Sequence, residues 1–171
     1  HVFLEKPPVV RIQDLRHLVA LSEQHGCYCT IGFHDIARAN IITLKHRLCG
    51  GALGRIRSVH AHCCWQRDSA YYGRSNWPGK TQLGRVLILD GPMNNSCSHV
   101  LNMAAYLAGS EPYEFARPVH VQAELYRAGN IEGEDIDCLR ATMENGVELC
   151  IHLTQCASQN HARKWTVSGE S

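Results

Sequence analysis

The pattern of apolar and polar positions changes character along the chain. Val2-Phe3-Leu4 is a short apolar run closed by Glu5-Lys6-Pro7-Pro8, which reads as a strand ended by rings that fix φ. Arg11 to His25 puts Ile12, Leu15, Leu18, Val19 and Ser22 on one helical face, predicted to be buried, with Gly26 ending the helix. Cys27 to Phe33 follows as a strand buried on both sides. Strand, proline turn, helix and strand make a βαβ unit, which calls for parallel pairing. Ile41 to Leu48 predicts a second helix, stopped by Gly50-Gly51. Arg55 to Trp65 then alternates, with Val59, Ala61, Cys63 and Trp65 facing inward and Ser58, His60 and His62 outward.

The next stretch, Gln66 to Leu83, is a long polar loop rich in aromatic and cationic residues: Arg67, Tyr71, Tyr72, Arg74, Asn76, Trp77 and Lys80. Loops of this length are commonly functional, and this composition suits a hydroxyl-rich or anionic ligand. Val86 to Leu89, bounded by Gly84, reads as a buried strand. It leads through Asp90-Gly91-Pro92 into a helix that Asn94 or Asn95 would cap and Gly109, as a left-handed residue, would end. Leu101, Ala104, Ala105 and Ala108 form its apolar stripe, while Asn95, His99, Asn102 and Tyr106 share another face. A carboxamide and an imidazole one turn apart near a helix start can hold a polar substrate between them.

Beyond that helix, Val119, Val121, Ala123 and Leu125 alternate with polar residues. Asp137 to Met143 and Val147 to Leu153 flank the turn Glu144-Asn145-Gly146, a hairpin signal, and Lys164 to Val167 offers a last strand. The fold class is therefore α+β: a βαβ unit over residues 1–33, then residues 34–171 as a largely antiparallel open sheet with helices on one face. The other face of such a sheet suits a partner subunit.

Composition narrows the function classes. Seventeen Lys and Arg against sixteen Asp and Glu leave a net charge of +1, so no nucleic-acid-binding surface is expected. No apolar run approaches the ~20 residues that span a bilayer. The opening His1-Val2-Phe3-Leu4-Glu5-Lys6 has no signal-peptide character and reads as mid-domain sequence, so a fragment is expected. Nine cysteines, an odd number with no C-x-x-C pair, argue for buried free thiols in a reducing, cytoplasmic setting. His60, His62 and Cys64 share one strand face. A zinc-binding module is therefore a minor alternative, and no metal site is assigned. Gly50-Gly51-Ala52-Leu53-Gly54 follows a helix instead of opening one and is not a phosphate-cradling loop. Leu87-Ile88-Leu89-Asp90-Gly91 lacks the second carboxylate that a phosphatase reading needs, because Pro92 stands there.

The ordered set of Phe3-Leu4-Glu5-Lys6-Pro7, Ile31-Gly32-Phe33-His34, Gly51-Ala52-Leu53-Gly54-Arg55-Ile56, the Asn95-to-Gly109 helix and Met143-Glu144-Asn145-Gly146 resembles the Gfo/Idh/MocA oxidoreductases over nearly the whole chain. The resemblance implies the tail of a Rossmann domain over 1–33 and a C-terminal substrate and oligomerisation domain over 34–171, truncated at its end. It implies hydride transfer between NAD or NADP and a sugar, cyclitol or similar polyol, and a homodimer or homotetramer through the open sheet face. On the same ground, Lys6 and His99 are the catalytic pair, and Asn95, Trp77, Lys80 and Tyr72 are substrate-binding candidates. Glu5, Lys6 and Pro7 would lie against the cofactor. Imidazole titrates near neutrality and can take a hydroxyl proton, and a fixed ammonium would stabilise the resulting alkoxide.

Three departures from the family pattern matter. Asn95 stands where an aspartate is usual, Cys97 replaces a glycine, and no G-x-G-x-x-G follows an opening strand. The cofactor is then bound mainly by a region missing from this chain, and the polypeptide alone is expected to be inactive. The alternative is a non-enzymatic binding or oligomerisation module derived from the family.

Overall fold

The computed structural model describes residues 1–170. Strands β1 (Val2–Leu4) and β2 (Cys29–Ile31) pair in parallel around helix α1 (Ile12–Gln24). A 3-10 turn (His34–Ala37) and α2 (Ala39–Cys49) lead into β3 (Ile56–Cys64). The short α3 (Ser69–Tyr72) and the two-residue strands β4 (Gln82–Leu83) and β5 (Val86–Leu87) punctuate the long loop. A π-helical turn (Pro92–Ser96) then enters α4 (Ser98–Ala108). The remaining strands are β6 (Pro118–Tyr126), β7 (Ile136–Met143), β8 (Glu148–Thr154) and β9 (Lys164–Gly169).

The main sheet has the order β6-β7-β8-β3-β9, antiparallel throughout except for the parallel β3–β8 pair. The α+β class and the open, largely antiparallel sheet read from the sequence are what the structure has. The β7–β8 hairpin turns at Glu144-Asn145-Gly146, where Gly146 takes the positive φ of 83° that a side chain would resist. The core lies between α4 and the sheet: Val59, Ala61 and Cys63 of β3, Leu149, Ile151 and Leu153 of β8, and Val100, Met103, Ala104 and Leu107 of α4.

Several local expectations change. No residue of α1 is buried, and Ile12 and Val19 are about half exposed, at 54% and 49%. The face is amphipathic, yet the two-stranded β1–β2 sheet gives it no second layer to pack on. For the same reason the strand expected over Cys27 to Phe33 shrinks to Cys29–Ile31 and stays partly exposed. The buried strand expected at Val86 to Leu89 is a two-residue arm of a small hairpin, and Leu89 adopts a φ of 47°. Only Cys63 and Cys97 of the nine free cysteines are fully buried, so thiol burial is not general.

Helix α4 is rotated from the expected stripe, since Leu101 and Ala105 are only partly buried while Val100, Met103 and Leu107 point into the core. Tyr106 leaves the polar face, donating its hydroxyl hydrogen to the Pro112 carbonyl from a buried position. Gly109 is extended, with φ −65° and ψ 149°. Glycine is needed there for close approach, because a Cβ would collide with the Glu114 backbone carbonyl and the Lys45 ammonium. Lys45 itself, with no exposed surface, donates to the carbonyls of Tyr106 and Gly109, both at 2.6 Å. It satisfies and neutralises the C-terminal end of α4.

Candidate functional site

The π-helical turn sets the site. Its wide loop closes with Cys97 N–H donating to the Pro92 carbonyl at 2.7 Å, five residues back, and such turns are frequent at functional sites. Neither asparagine caps α4. The Asn94 amide donates to the Leu89 carbonyl at 2.8 Å, and the Asn95 amide donates to Asp90 Oδ1 at 2.7 Å. Asp90 is buried, and its other oxygen accepts from the Gly79 N–H at 2.7 Å. One carboxylate therefore ties the π turn to the long loop.

Lys6 arrives from the end of β1, with a cis peptide bond between it and Pro7. Its ammonium donates to the Asn95 carbonyl at 2.6 Å and to Asn95 Oδ1 at 3.2 Å. Burial chiefly lowers its pKa from the usual lysine value, against the raising effects of Glu5, Cys97 and Asp90. An ammonium has three N–H donors, so one remains for a ligand.

His99, on the first turn of α4, packs edge-on against Phe33 and His34 with ring centroids 5.5 and 4.8 Å away. Its Nδ1 is buried without a hydrogen bond and lies 3.7 Å from Asp35 Oδ2. Burial lowers the His99 pKa; Asp35 works against that, and Lys6, His34 and Arg163 reinforce it. The imidazole is accordingly neutral near pH 7, and with Nδ1 turned to Asp35 its Nε2 is the nitrogen left for substrate.

Asp35 is buried on the 3-10 turn, with Arg163 Nη1 at 2.6 Å and Arg38 Nη2 at 2.7 Å. Burial alone would raise its pKa, but the two guanidiniums outweigh it and hold the carboxyl below its usual range. Asp35, Arg163 and Asp90 were missed as site residues by the sequence reading. A carboxylate beside an arginine in strand-turn sequence carries no spacing signal, and the Asp35–Arg163 contact joins residues 128 positions apart.

The structure thus brings Lys6, Asn95 and His99 together. The other candidates sit one step away. Tyr72 donates its hydroxyl hydrogen inward to Gln155 Oε1 at 2.8 Å, and the Gln155 amide donates to Ser96 Oγ. Tyr72 and Lys80 line a cleft with Asn130 and Ile131, and Trp77 packs beneath the Arg74 guanidinium at 5.1 Å. Among the described residues no hydrogen bond joins Trp77 or Lys80 to Lys6 or His99. Glu5 is exposed, beside Gly32, and Pro7 is half-buried. His60 and His62 line the exposed face of β3 as expected, but no group of three or more metal-ligating residues is close enough to hold an ion among the described residues.

Residues 41–171 match the family profile described as the GFO/IDH/MocA C-terminal domain. The chain belongs to the GFO/IDH/MocA family. Solved structures extend the likeness of this family member to the residues before position 41. The WlbA dehydrogenase from Bordetella pertussis, in complex with NADH and UDP-GlcNAcA, is 27% identical with a TM-score of 0.83, covering 99% of this chain and 49% of that one. The WlbA dehydrogenase from Chromobacterium violaceum, with the same two ligands, is 25% identical with a TM-score of 0.83, covering 99% and 46%. The aldose-aldose oxidoreductase from Caulobacter crescentus, complexed with glycerol, is 25% identical with a TM-score of 0.79, covering 99% and 47%. The chain spans about half the length of the solved structures it matches. A search of curated proteins finds no match. Among the described residues no helix is long and apolar enough to cross a membrane.

Proposed function

We propose that this chain supplies the substrate side of the active site of an NAD- or NADP-dependent oxidoreductase acting on a hydroxyl of a sugar, cyclitol or related polyol. The observation that carries the reading is the convergence of a partly buried ammonium, Lys6 at the end of β1, and a neutral imidazole, His99 on α4, from separate parts of the sequence. The donor set fits a nicotinamide and a carbinol: Lys6 keeps one free N–H, and His99 keeps Nε2 as an acceptor. When bound, the nicotinamide supplies the hydride acceptor. His99 takes the hydroxyl proton at Nε2, the Asp35 carboxylate near Nδ1 stabilises the imidazolium that forms, and the Lys6 ammonium stabilises the alkoxide. Asn95 orients Lys6 and Asp90 orients Asn95.

Residues 1–33 are the end of a dinucleotide-binding domain and 34–171 the substrate domain, with Glu5, Lys6 and Pro7 at the boundary against the cofactor. The pyrophosphate falls to residues outside these 171. The uncovered apolar face of α1 supports that reading, since further Rossmann layers would bury it. The sheet also supports self-association: Val119, Val121 and Leu125 of β6 are exposed at 68%, 50% and 56%, which suits a homodimer or homotetramer.

The test is a nicotinamide-fluorescence titration of NADH and NADPH into the 171-residue chain and into the longest native polypeptide containing it. Binding to the longer chain alone supports the proposal and names the cofactor. Binding to neither favours a non-enzymatic module, for which Asn95 in place of aspartate and the exposed β6 speak.

A further inference from the structure

Strand β6 is the outer strand of the main sheet, paired on one side only, to β7. All nine of its residues are exposed. Exposed edge strands are ordinarily blunted by lysines, internal prolines or brevity. This one holds no lysine, and its single proline is its first residue. Its register shifts only between Pro118 and His120, which leaves the stretch from His120 to Tyr126 regular.

The ladder shows which main-chain groups are free. Met143 N–H donates toward β8, to the Val147 carbonyl, and the next residue, Glu144, donates the other way, to the Arg117 carbonyl. Odd-numbered residues of β7 therefore turn their main chain to β8 and even-numbered ones to β6. Their partners on β6 are even-numbered too, from His120 opposite Thr142 to Tyr126 opposite Ile136, and the Tyr126 carbonyl accepts from the Asp135 N–H. The N–H and C=O groups of Val121, Ala123 and Leu125 accordingly point away from β7, to the open edge.

The strand is complementary to an antiparallel copy of itself. With a two-fold axis at Gln122, Val121 stands opposite Ala123 of the second copy and Val119 opposite Leu125, apolar against apolar on one face. On the other face His120 stands opposite Glu124 of the second copy, and the symmetry repeats that pair. This is also the register in which all nine residues overlap. It puts the outward-facing Val121 and Ala123 into the pairs that exchange N–H···O bonds, as an antiparallel ladder requires. An axis at His120 or at Glu124 would instead oppose two imidazoles or two carboxylates. Glu124 Oε2 accepts from the Tyr126 hydroxyl at 2.6 Å, which steadies the carboxylate and leaves Oε1 for the imidazole.

We infer that β6 pairs edge to edge with β6 of a second copy, continuing the sheet across a two-fold axis at Gln122. The inference deepens the self-association in the proposed function and rests on it, but it names the strand edge where the family resemblance implies the open face. Main-chain hydrogen bonds supply the attraction, and the two His120–Glu124 pairs set the register.

The experiment is sedimentation velocity of the full-length protein and three variants, with NADH and NADPH binding and far-UV circular dichroism measured alongside. Val121→Pro removes an N–H that only a second copy would use, so the circular dichroism should hold while the assembled mass halves. His120→Glu sets carboxylate against carboxylate at both ends of the pairing and should raise the dissociation constant by about ten-fold or more. Adding Glu124→Lys to it should restore the assembly. Should Val121→Pro lose its circular dichroism, the other two variants decide. A monomeric wild-type protein, an assembly untouched by Val121→Pro and His120→Glu, or a His120→Glu loss that Glu124→Lys does not recover overturns the inference. An assembly that survives both single substitutions places the interface elsewhere and leaves the oxidoreductase reading standing. Edge pairing in a protein that binds neither NADH nor NADPH supports the inference and removes that reading.

Discussion

Asp35 Oδ2 lies 3.7 Å from His99 Nδ1, and the same oxygen is 2.6 Å from Arg163. Position 95, one turn before the histidine, holds an amide that is turned to Asp90 and Lys6 instead. The carboxylate beside the His99 ring therefore comes from a different element, the 3-10 turn after β2.

Asp35→Asn is expected to lower turnover of the full-length protein by about ten-fold or more, because the imidazole loses the nearby negative charge that favours its protonated form as it takes the substrate proton. The pH profile gives the sign. Asp35 raises the His99 pKa, whereas Lys6, His34 and Arg163 lower it, and Arg38 adds positive charge once Asp35 is neutral. The acidic limb of kcat should consequently move to lower pH in Asp35→Asn. A limb that moves upward or stays in place contradicts the assignment.

Asn95→Asp, which would restore the family's usual carboxylate, is expected to reduce activity at neutral pH. It would set a second carboxylate at the 2.7 Å contact now made with Asp90, where like charges cannot both ionise. The exchange Asp90→Asn with Asn95→Asp should recover most of the loss, since donor and acceptor are merely swapped. Steady-state rates of the single and double variants decide it, and a gain in the single variant would mean Asn95 is a handicap.

Lys45→Met is expected to destabilise the fold by about 2–4 kcal/mol, the order of two lost charge-assisted hydrogen bonds with buried carbonyls left behind. Urea denaturation of the variant measures it. An unchanged midpoint would show that the α4 carbonyls find other donors.

Burial raises the Asp137 pKa to about 6, with Glu134 and Asp135 adding to it and the Met93 N–H opposing it. The native state therefore binds a proton more tightly than the unfolded chain, and stability should fall as pH rises from about 4 to about 6. Asp137→Asn should flatten that interval of the stability curve. Denaturation midpoints measured across it provide the check, and an unchanged slope assigns the dependence to other groups.

The sheet was legible because its strands alternate cleanly and its hairpin carries Asn145-Gly146, both local signals. Helix α1 was legible as a helix, yet its burial was misjudged, because a periodic apolar face records a need for cover without saying where the cover is. Gly109 was assigned to a left-handed cap from its place in sequence, whereas the real demand is the Glu114 backbone beside it. Lys6 and His99 came from resemblance to a family. Asp35 and Arg163 meet across 128 positions, and Asp90 reaches Asn95 and Gly79 through the irregular backbone of a loop and a π turn; periodicity reports neither.

The most direct measurement is turnover against cofactor affinity in the His99→Ala variant of the full-length protein. If His99 takes the substrate proton, kcat falls by about 10²–10⁴ while the Kd for reduced dinucleotide is unchanged. Wild-type turnover, or loss of both in parallel, would contradict the account.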